Sequence, residues 1–140
     1  LEGSVKTDSG RIVTDIGRHP TERVKMAVLP DGRGKIAITD YEVVTRFSKD
    51  YTLCKFALQT GRTHQIRVHA KHMGNPVVGD PVYGFKKQKF SLNGQLLHAN
   101  TLVLTHPTTG GEMTFSAPLP SYFSEVLEKL KRQYKVEINL

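Results

Sequence analysis

The stretch GRTHQIRVHAKHMG, residues 61–74, decides the fold of the middle of the chain because it combines helical apolar spacing with basic side chains. Its apolar stripe recurs at helical intervals and consists of Ile66, Ala70 and Met73. Thr63 can cap such a helix by accepting a hydrogen bond from a first-turn amide, and Gly74 suits the position just past its end. The spacing predicts an amphipathic helix whose apolar stripe faces the core.

A second face of this predicted helix is basic and carries His64, Arg67 and Lys71. Arginine presents a planar fork that fits a carboxylate or a phosphate, and the free amides at a helix start also favour anions. A solvated basic face is the alternative, and the residues alone leave both interpretations open. No metal site is expected, because the histidines do not converge on one face and no carboxylate joins them.

Composition and charge indicate one domain with a polyanionic partner. The 140 residues are enough for a single domain, 1–140, and 38% of them are hydrophobic. A formal net charge of +7 favours nucleic acid as the partner, although moderate basicity also serves solubility alone. No apolar run approaches the roughly 20 residues of a membrane span, so no membrane partner is expected. The single cysteine, Cys54, cannot form an internal disulfide, which agrees with a reducing cytoplasm.

Alternating apolar segments on both sides of this helix indicate strands joined in hairpins. The predicted strands form two pairs, residues 36–47 with 51–60 and residues 96–107 with 112–118. A bulge is expected near Asp40, short strand pieces over 1–17, and a turn at Pro30-Asp31-Gly32. A second amphipathic helix is predicted over 121–134, with Ser121 as its cap. The pattern predicts the α+β class, with a mixed, largely antiparallel sheet and flanking helices.

Several motifs follow one another in a specific order over residues 10–120. They are IGRHPTERVKMAV (16–28), GRTHQIRVH (61–69), NPVVGDPVYG (75–84), LLHA (96–99) and HPTTGGEMTFSAPLP (106–120). In their order and spacing they resemble the RluA family of RNA pseudouridine synthases. The resemblance implies a pseudouridine synthase catalytic domain, an isomerase that detaches uracil from ribose, turns it and rejoins it through carbon 5. It implies no cofactor and no metal.

The same resemblance implies RNA as the partner and RNA modification as the activity. Large-subunit ribosomal RNA is the commoner substrate in the family and transfer RNA the next, so rRNA processing in the cytoplasm is the expected setting. The family's catalytic group is an aspartate in an Arg-Leu-Asp-x-x-Thr-Ser-Gly motif, and a tyrosine from a later strand stacks on the base.

The sequence departs from the family in the part that carries this catalytic aspartate. Its six aspartates stand in no such motif, and its first tyrosine, Tyr41, lies in the wrong strand. The opening residues Leu1-Glu2-Gly3 resemble those that follow the family's tyrosine. We therefore expect residues 1–140 to be the C-terminal part of a catalytic domain, a fragment that is inactive by itself.

Two residues are carried over from the family to a catalytic role by their motifs. Arg67 matches the arginine that pairs with the catalytic aspartate, and a carboxylate that must stay ionised in a dry pocket needs such a partner. Leu97 in LLHA matches the apolar residue under the base, with ordinary core packing as the alternative. We expect Arg67 to face an open cleft with no carboxylate partner in this chain. A salt bridge from Arg67 to Asp80 in a closed core would count strongly against that interpretation.

Further basic residues are candidates for RNA contact. They are Arg62 and His64 in the helix stretch, Lys71 on its basic face, and Arg18, His19, Arg23 and Lys25 in the preceding loop. Asp80, between Gly79 and Pro81, is expected to fix a turn by accepting backbone N–H bonds.

Two other classes of protein compete with the enzyme interpretation. One is a stand-alone RNA-binding module that keeps the basic surface without the chemistry, and the other is a structural remnant with no RNA affinity. A partial sheet also exposes strand edges, so we expect self-association or domain pairing through an edge.

Overall fold

The computed structural model describes all residues, 1–140, and it contains six strands and two helices. The elements are β1 (Ser9–Arg18), β2 (Met26–Leu29), β3 (Lys35–Phe47), β4 (Tyr51–Leu58), α1 (Gln65–His72), β5 (Thr101–Thr105), β6 (Glu112–Ser116) and α2 (Ser121–Tyr134). Every paired strand is antiparallel to its neighbour. The predicted α+β class is confirmed, with a helix packed on each face of the main sheet.

The main sheet has four strands in the order β2-β1-β3-β4. Of the predicted short strand pieces in residues 1–17, those from Ser9 onward are one continuous strand, β1, which pairs with both β2 and β3, whereas Glu2 forms only an isolated bridge with Tyr51. The expected turn after Pro30 is confirmed: Gly32 has a φ of 83°, and Asp15 Oδ2 accepts hydrogen bonds from the amides of Gly32 and Gly34. The sheet therefore consists of two hairpins, β1–β2 and β3–β4, which are joined by the pairing of β1 with β3.

The bulge in β3 lies further along the strand than the sequence indicates. Asp40 pairs regularly with Arg11 and Ala57, and the register shifts between Val43 and Thr45. The expected position near Asp40 is wrong. At the start of β3 the buried positions are occupied by small residues, one of them polar, so the apolar residues of the sequence do not mark the buried face there. Ala37 and Thr39 are each 0% exposed, since α1 packs closely over them.

This bulge gives the sheet two cores on opposite faces. Alternation alone would place Ala37 and Phe47 on the same side, because they are an even number of residues apart. One extra residue in β3 reverses that phase beyond the bulge. Ala37 packs with Ile16, Val68 and Tyr83 near α1. Phe47 instead joins the buried stripe of α2, which consists of Phe123, Val126, Leu127 and Leu130.

Helix α1 differs from its prediction at its start and in its buried face. It begins at Gln65 after His64, whose φ of 57° is left-handed, and no side chain caps it, so the expected cap by Thr63 is wrong. Its buried residues are Gln65, Arg67, Val68, His69 and Ala70. Of the predicted apolar stripe only Ala70 is fully buried, because the polar residues find partners inside the fold. Gly74 ends the helix with a φ of 87°, as expected.

The C-terminal third contains a hairpin and the second helix. Strand β5 begins only at Thr101, and residues 96–100 form no regular element. Strands β5 and β6 pair over five residues each in a separate two-stranded sheet. Helix α2 has the predicted bounds and stripe, but Pro120 is at its N-cap and Ser121 does not cap it. Neither helix has the length and apolarity that a bilayer crossing requires.

Candidate active site

The centre of the candidate site is a buried ion pair between α1 and the loop that follows it. Arg67 donates from Nε to Asp80 Oδ2 and from Nη2 to Asp80 Oδ1, both at 2.8 Å. The two side chains are 10% and 0% exposed. Asp80 Oδ1 also accepts the amides of Val82 and Tyr83, each at 3.0 Å, which confirms the expected turn.

The expectation that Arg67 has no carboxylate partner in this chain is wrong. A guanidinium buried to this degree requires a nearby countercharge, and Asp80 is the carboxylate that the fold brings to it. This salt bridge is the feature that was expected to count against the enzyme interpretation. The geometry of Arg67 alone therefore does not establish a catalytic role.

The pair leaves one edge of the guanidinium unused. Nε and Nη2 bond to Asp80, and no protein atom accepts a hydrogen bond from Nη1. No fully buried side-chain nitrogen or oxygen in the structure lacks a hydrogen-bond partner, so the unbonded Nη1 is not fully enclosed, which agrees with the 10% exposure of the Arg67 side chain. Arg67 thus offers a cationic N–H group to an external anion while its other edge is held.

The ion pair lowers the pKa of Asp80 and raises that of Arg67. Burial alone raises the pKa of Asp80, but hydrogen bonds from Arg67, Tyr83 and Val82 outweigh it and leave this pKa below its usual value. The hydrogen bond to Asp80 is the main cause of the raised pKa of Arg67. Both groups remain charged throughout the physiological range.

Tyr83 forms the floor of the guanidinium and links it to His64. The Arg67 Cζ atom lies 5.0 Å from the Tyr83 ring centroid. The Tyr83 hydroxyl accepts from the Met26 amide at 2.9 Å and lies 2.8 Å from Nδ1 of His64. Burial, and next the charge of Arg67, lower the pKa of His64, which keeps it neutral.

The other aspartates are occupied away from Arg67. Asp8 and Asp40 bond to arginines, Asp15 to two glycine amides, and Asp50 to the Tyr134 hydroxyl. Asp31 is an exposed residue of the turn before β3. Apart from Asp80, no carboxylate in residues 1–140 forms an ion pair with Arg67.

Two buried residues of the helix stretch, Gln65 and His69, hold α1 in place. His69 is 0% exposed, with Nδ1 2.7 Å from the Thr39 hydroxyl and Nε2 2.8 Å from the Thr14 hydroxyl. Gln65 donates to the same Thr39 hydroxyl and accepts from the Arg62 amide. These bonds fix α1 on the sheet, and no group of three or more potential metal-ligating residues exists in the structure.

Basic residues line two neighbouring grooves that share Met26. The larger groove has a volume of about 430 Å³ and is lined by Arg18, Lys35, Arg62 and the glycines of the adjoining turns. The smaller has a volume of about 260 Å³, and its charged or titratable lining residues are His19, Glu22, Lys25, Lys71, His72 and Tyr83. Together they form a surface that we call the basic strip.

Most of the expected RNA contacts lie on this basic strip, but not all. Arg23 and His64 line neither groove. Lys25 and His19 share Glu22, at 3.3 Å and 3.9 Å, and this carboxylate offsets the positive charge of Lys25. Lys35 was missed by the sequence analysis, since it begins a strand outside the recognised motifs.

Leu97 and Tyr83 have surroundings that the sequence did not indicate. Leu97 is half-buried and joins neither core cluster, whereas its neighbour Leu96 packs against the α2 core. Tyr83 was missed as a site residue, although it stands in the quoted motif NPVVGDPVYG, where an aromatic residue beside an aspartate was the available signal.

Solved structures of similar shape define the class of protein. Human RNA pseudouridylate synthase domain containing 1 has a TM-score of 0.72 to this chain at 25% identity, covering 100% of this chain and 64% of the human one. Human RNA pseudouridylate synthase domain containing 4 has a TM-score of 0.64 at 24% identity, covering 89% and 57%. The fold is that of RNA pseudouridylate synthase domains.

Sequence comparison identifies the family. The RNA pseudouridylate synthase family model matches residues 4–72. An uncharacterized RNA pseudouridine synthase of Chloroflexus aurantiacus is 48% identical over 89% of this chain, and ribosomal large subunit pseudouridine synthase D of Escherichia coli is 40% identical over 92%. The chain belongs to the RNA pseudouridine synthases of the RluA family. It spans 38% and 42% of the lengths of these two relatives.

Because of His69, the free energy of unfolding should decrease as the pH is lowered from 6.5 to 4. Burial is the main reason that its pKa is lowered from 6.5 to about 4. Below pH 6.5 the unfolded chain binds a proton that the folded chain does not, so the free energy of unfolding falls until pH 4 and then levels. We expect a loss on the order of 3 kcal/mol, measured by urea unfolding.

His69→Gln is the variant that tests this, because it keeps a donor and an acceptor without titrating. The loss between pH 6.5 and 4 should shrink strongly in His69→Gln and persist for the most part in the exposed-residue variant His72→Gln, because the charge of His72 is only the second cause of the lowered pKa of His69, after burial. An unchanged pH dependence in His69→Gln would contradict the assignment.

Proposed function

We propose that residues 1–140 are the C-terminal part of the catalytic domain of an RNA pseudouridine synthase, which isomerises uridine in structured RNA. The names of relatives such as ribosomal large subunit pseudouridine synthase D support large-subunit ribosomal RNA as the substrate, with transfer RNA second. The observation that carries the proposal is the accessible Nη1 edge of Arg67, a fixed cationic donor in a chain of this family.

Arg67 has one task in this proposal, which is to hold a carboxylate that residues 1–140 do not supply. The carboxylate must remain ionised while uracil leaves ribose and returns through carbon 5. A guanidinium remains charged at any working pH and can donate from Nη1 without releasing Asp80. Since no other carboxylate of the chain forms an ion pair with Arg67, we propose that these residues alone are inactive.

Leu97 and the basic strip complete the proposed substrate site. A base removed from its stack needs an apolar surface in place of its neighbours, and half-buried Leu97 offers one outside the packed cores. The cations of the strip would bind the phosphate backbone without reading its sequence. Arg62 and Lys71 are on the strip, next to the ends of α1.

A stand-alone RNA-binding module is the second candidate, and one observation favours it. Arg67 already has a full carboxylate partner in Asp80, so the fold is electrostatically complete without an external aspartate. In that case the basic strip would bind RNA and Arg67 would have only a structural part. Turnover by the complete enzyme separates the two candidates.

Replacing Arg67 should abolish turnover in the complete enzyme that this proposal implies. Arg67→Lys keeps a charge but cannot bond Asp80 through one edge and an external carboxylate through the other. We expect kcat to fall by about 10²–10³-fold with RNA affinity nearly unchanged, measured by tritium release from RNA labelled at uracil carbon 5. The matched control is Arg132→Lys, at an exposed position on α2. Full turnover by Arg67→Lys would remove the catalytic assignment.

Replacing a cation of the larger groove should weaken RNA binding and its salt dependence together. Lys35 is exposed and forms no hydrogen bond through its side chain, so Lys35→Ala tests charge alone. We expect the slope of log K against log salt to fall by about one unit for each phosphate that the variant no longer neutralises. Lys129→Ala, exposed on α2, is the control. An unchanged slope in Lys35→Ala would place the RNA elsewhere.

We propose that the hairpin β5–β6 is the edge through which residues 1–140 self-associate. Both of its outer edges are open, whereas β4 is partly covered by the first residues of the chain. Its exposed apolar residues are Leu102, Val103, Leu104, Met113 and Phe115. An isolated hairpin is marginal in water, so pairing with a second copy would stabilise it.

This proposal predicts a concentration-dependent oligomer in sedimentation velocity. Val103→Lys should give a monomer, because a charge on this hairpin opposes edge pairing. Val24→Lys, at an exposed position in the loop before β2, should leave the oligomer intact. A monomer of the unmodified chain at high concentration would refute self-association.

A further inference from the structure

We propose that Asp80 is a positioning residue for Arg67: it holds the guanidinium by Nε and one N–H of Nη2, so that Nη1 and the second N–H of Nη2 are presented to the external carboxylate. This inference rests on the proposed function, but the geometry that carries it lies within residues 1–140. Asp80 would touch neither RNA nor the reacting atoms.

The edge-on pairing fixes the plane of the guanidinium. Two parallel bonds of 2.8 Å from Nε and Nη2 prevent rotation about the Nε–Cζ bond, which a single bond would permit. The remaining donors, Nη1 and the second N–H of Nη2, then have a defined direction. A lysine or a singly bonded arginine at this position would present a mobile charge instead.

Asp80 is itself held more tightly than an ordinary ion-pair partner. Its Oδ1 accepts the amides of Val82 and Tyr83, and its carbonyl accepts the amide of Gly84 at 3.1 Å. A Cβ atom on Gly84 would collide with the Asp80 carbonyl, so this closed turn requires glycine there. The carboxylate therefore has one orientation before any ligand arrives.

A second surface fixes the face of the guanidinium. The Tyr83 ring lies 5.0 Å from Arg67 Cζ, and its hydroxyl is tied to the Met26 amide and to His64. One edge and one face of Arg67 are thus set by the turn at residues 80–84. The guanidinium is arranged in advance for a partner that approaches from the open edge.

Asp80 also offsets part of the positive potential that Arg67 exerts on the external carboxylate. Beside a lone arginine, that carboxylate would be strongly stabilised as an anion and would be a weak base. A second carboxylate on the far edge of the same guanidinium offsets this stabilisation. Asp80→Asn should therefore shift the acidic limb of the pH–rate profile to lower pH, which a merely structural role would not do.

The first test needs no substitution and no catalytic activity. Nitrogen-15 NMR of the arginine side chains of residues 1–140 measures rotation about Nε–Cζ and exchange of the Nε–H proton. We expect both to be at least about tenfold slower for Arg67 than for Arg33, which is exposed and forms no side-chain hydrogen bond. Equal rates for the two arginines would overturn the proposal, whatever the enzyme does.

The second test compares Asp80→Asn with Asp80→Glu in the complete enzyme. Asn removes the charge in the same shape, and Glu keeps the charge but displaces the guanidinium. We expect kcat to fall by about 100-fold in both while RNA affinity stays within about threefold, with the acidic limb shifted only in Asn. Loss of RNA affinity in step with kcat, or no shift in Asn, would overturn the positioning role.

The two tests distinguish this inference from the proposed function. A complete enzyme that binds RNA without isomerising uridine would defeat the proposed function, and the NMR result would still decide whether Asp80 immobilises Arg67. Circular dichroism melts of each variant, taken through the assay temperature, ensure that only folded protein is compared.

Discussion

The buried pair of Arg67 and Asp80 is the interaction on which the organisation of the site depends. It joins α1 to the loop after it, and that loop supplies Tyr83 to the core between the helix and the sheet. A buried arginine without a countercharge would strongly destabilise the fold, so the pair is required for stability before any chemistry is considered. What distinguishes it from an ordinary structural pair is that it is incomplete. It uses one edge of the guanidinium and leaves Nη1 unbonded and not fully enclosed.

This arrangement allows one side chain to serve both stability and chemistry. A group that contributes only to catalysis must be fixed by its neighbours, and a group that contributes only to folding is usually satisfied completely. The planar fork of arginine permits both because its nitrogens point in different directions. The turn at residues 80–84 supplies the fixed edge, and the basic strip lies on the surface around Met26, close to the same tyrosine.

The sequence predicted where the helices and strands lie better than which face of each one is buried. Periodicity located both helices and both predicted hairpins, because those patterns reflect backbone geometry. It failed for α1, where Gln65, Arg67 and His69 are buried and Ile66 is not fully so. Burial of polar residues depends on partners such as Asp80, Thr39 and Thr14, which are distant in sequence or outside any periodic pattern. The family resemblance identified Arg67, but only the folded structure could show that the chain brings a carboxylate to it.

Because of the single bulge in β3, the fold tolerates changes in the number of residues of that strand less well than changes in their identity. Many apolar residues would suit the position of Phe47, since its contacts with α2 are non-directional. Loss of one residue at the bulge would restore uniform alternation and turn the rest of the strand over, exposing its aromatic side chain to solvent and presenting polar groups to α2. Insertions and deletions in this strand are therefore far less tolerable than substitutions, and natural variation in β3 should occur in residue identity at constant residue number.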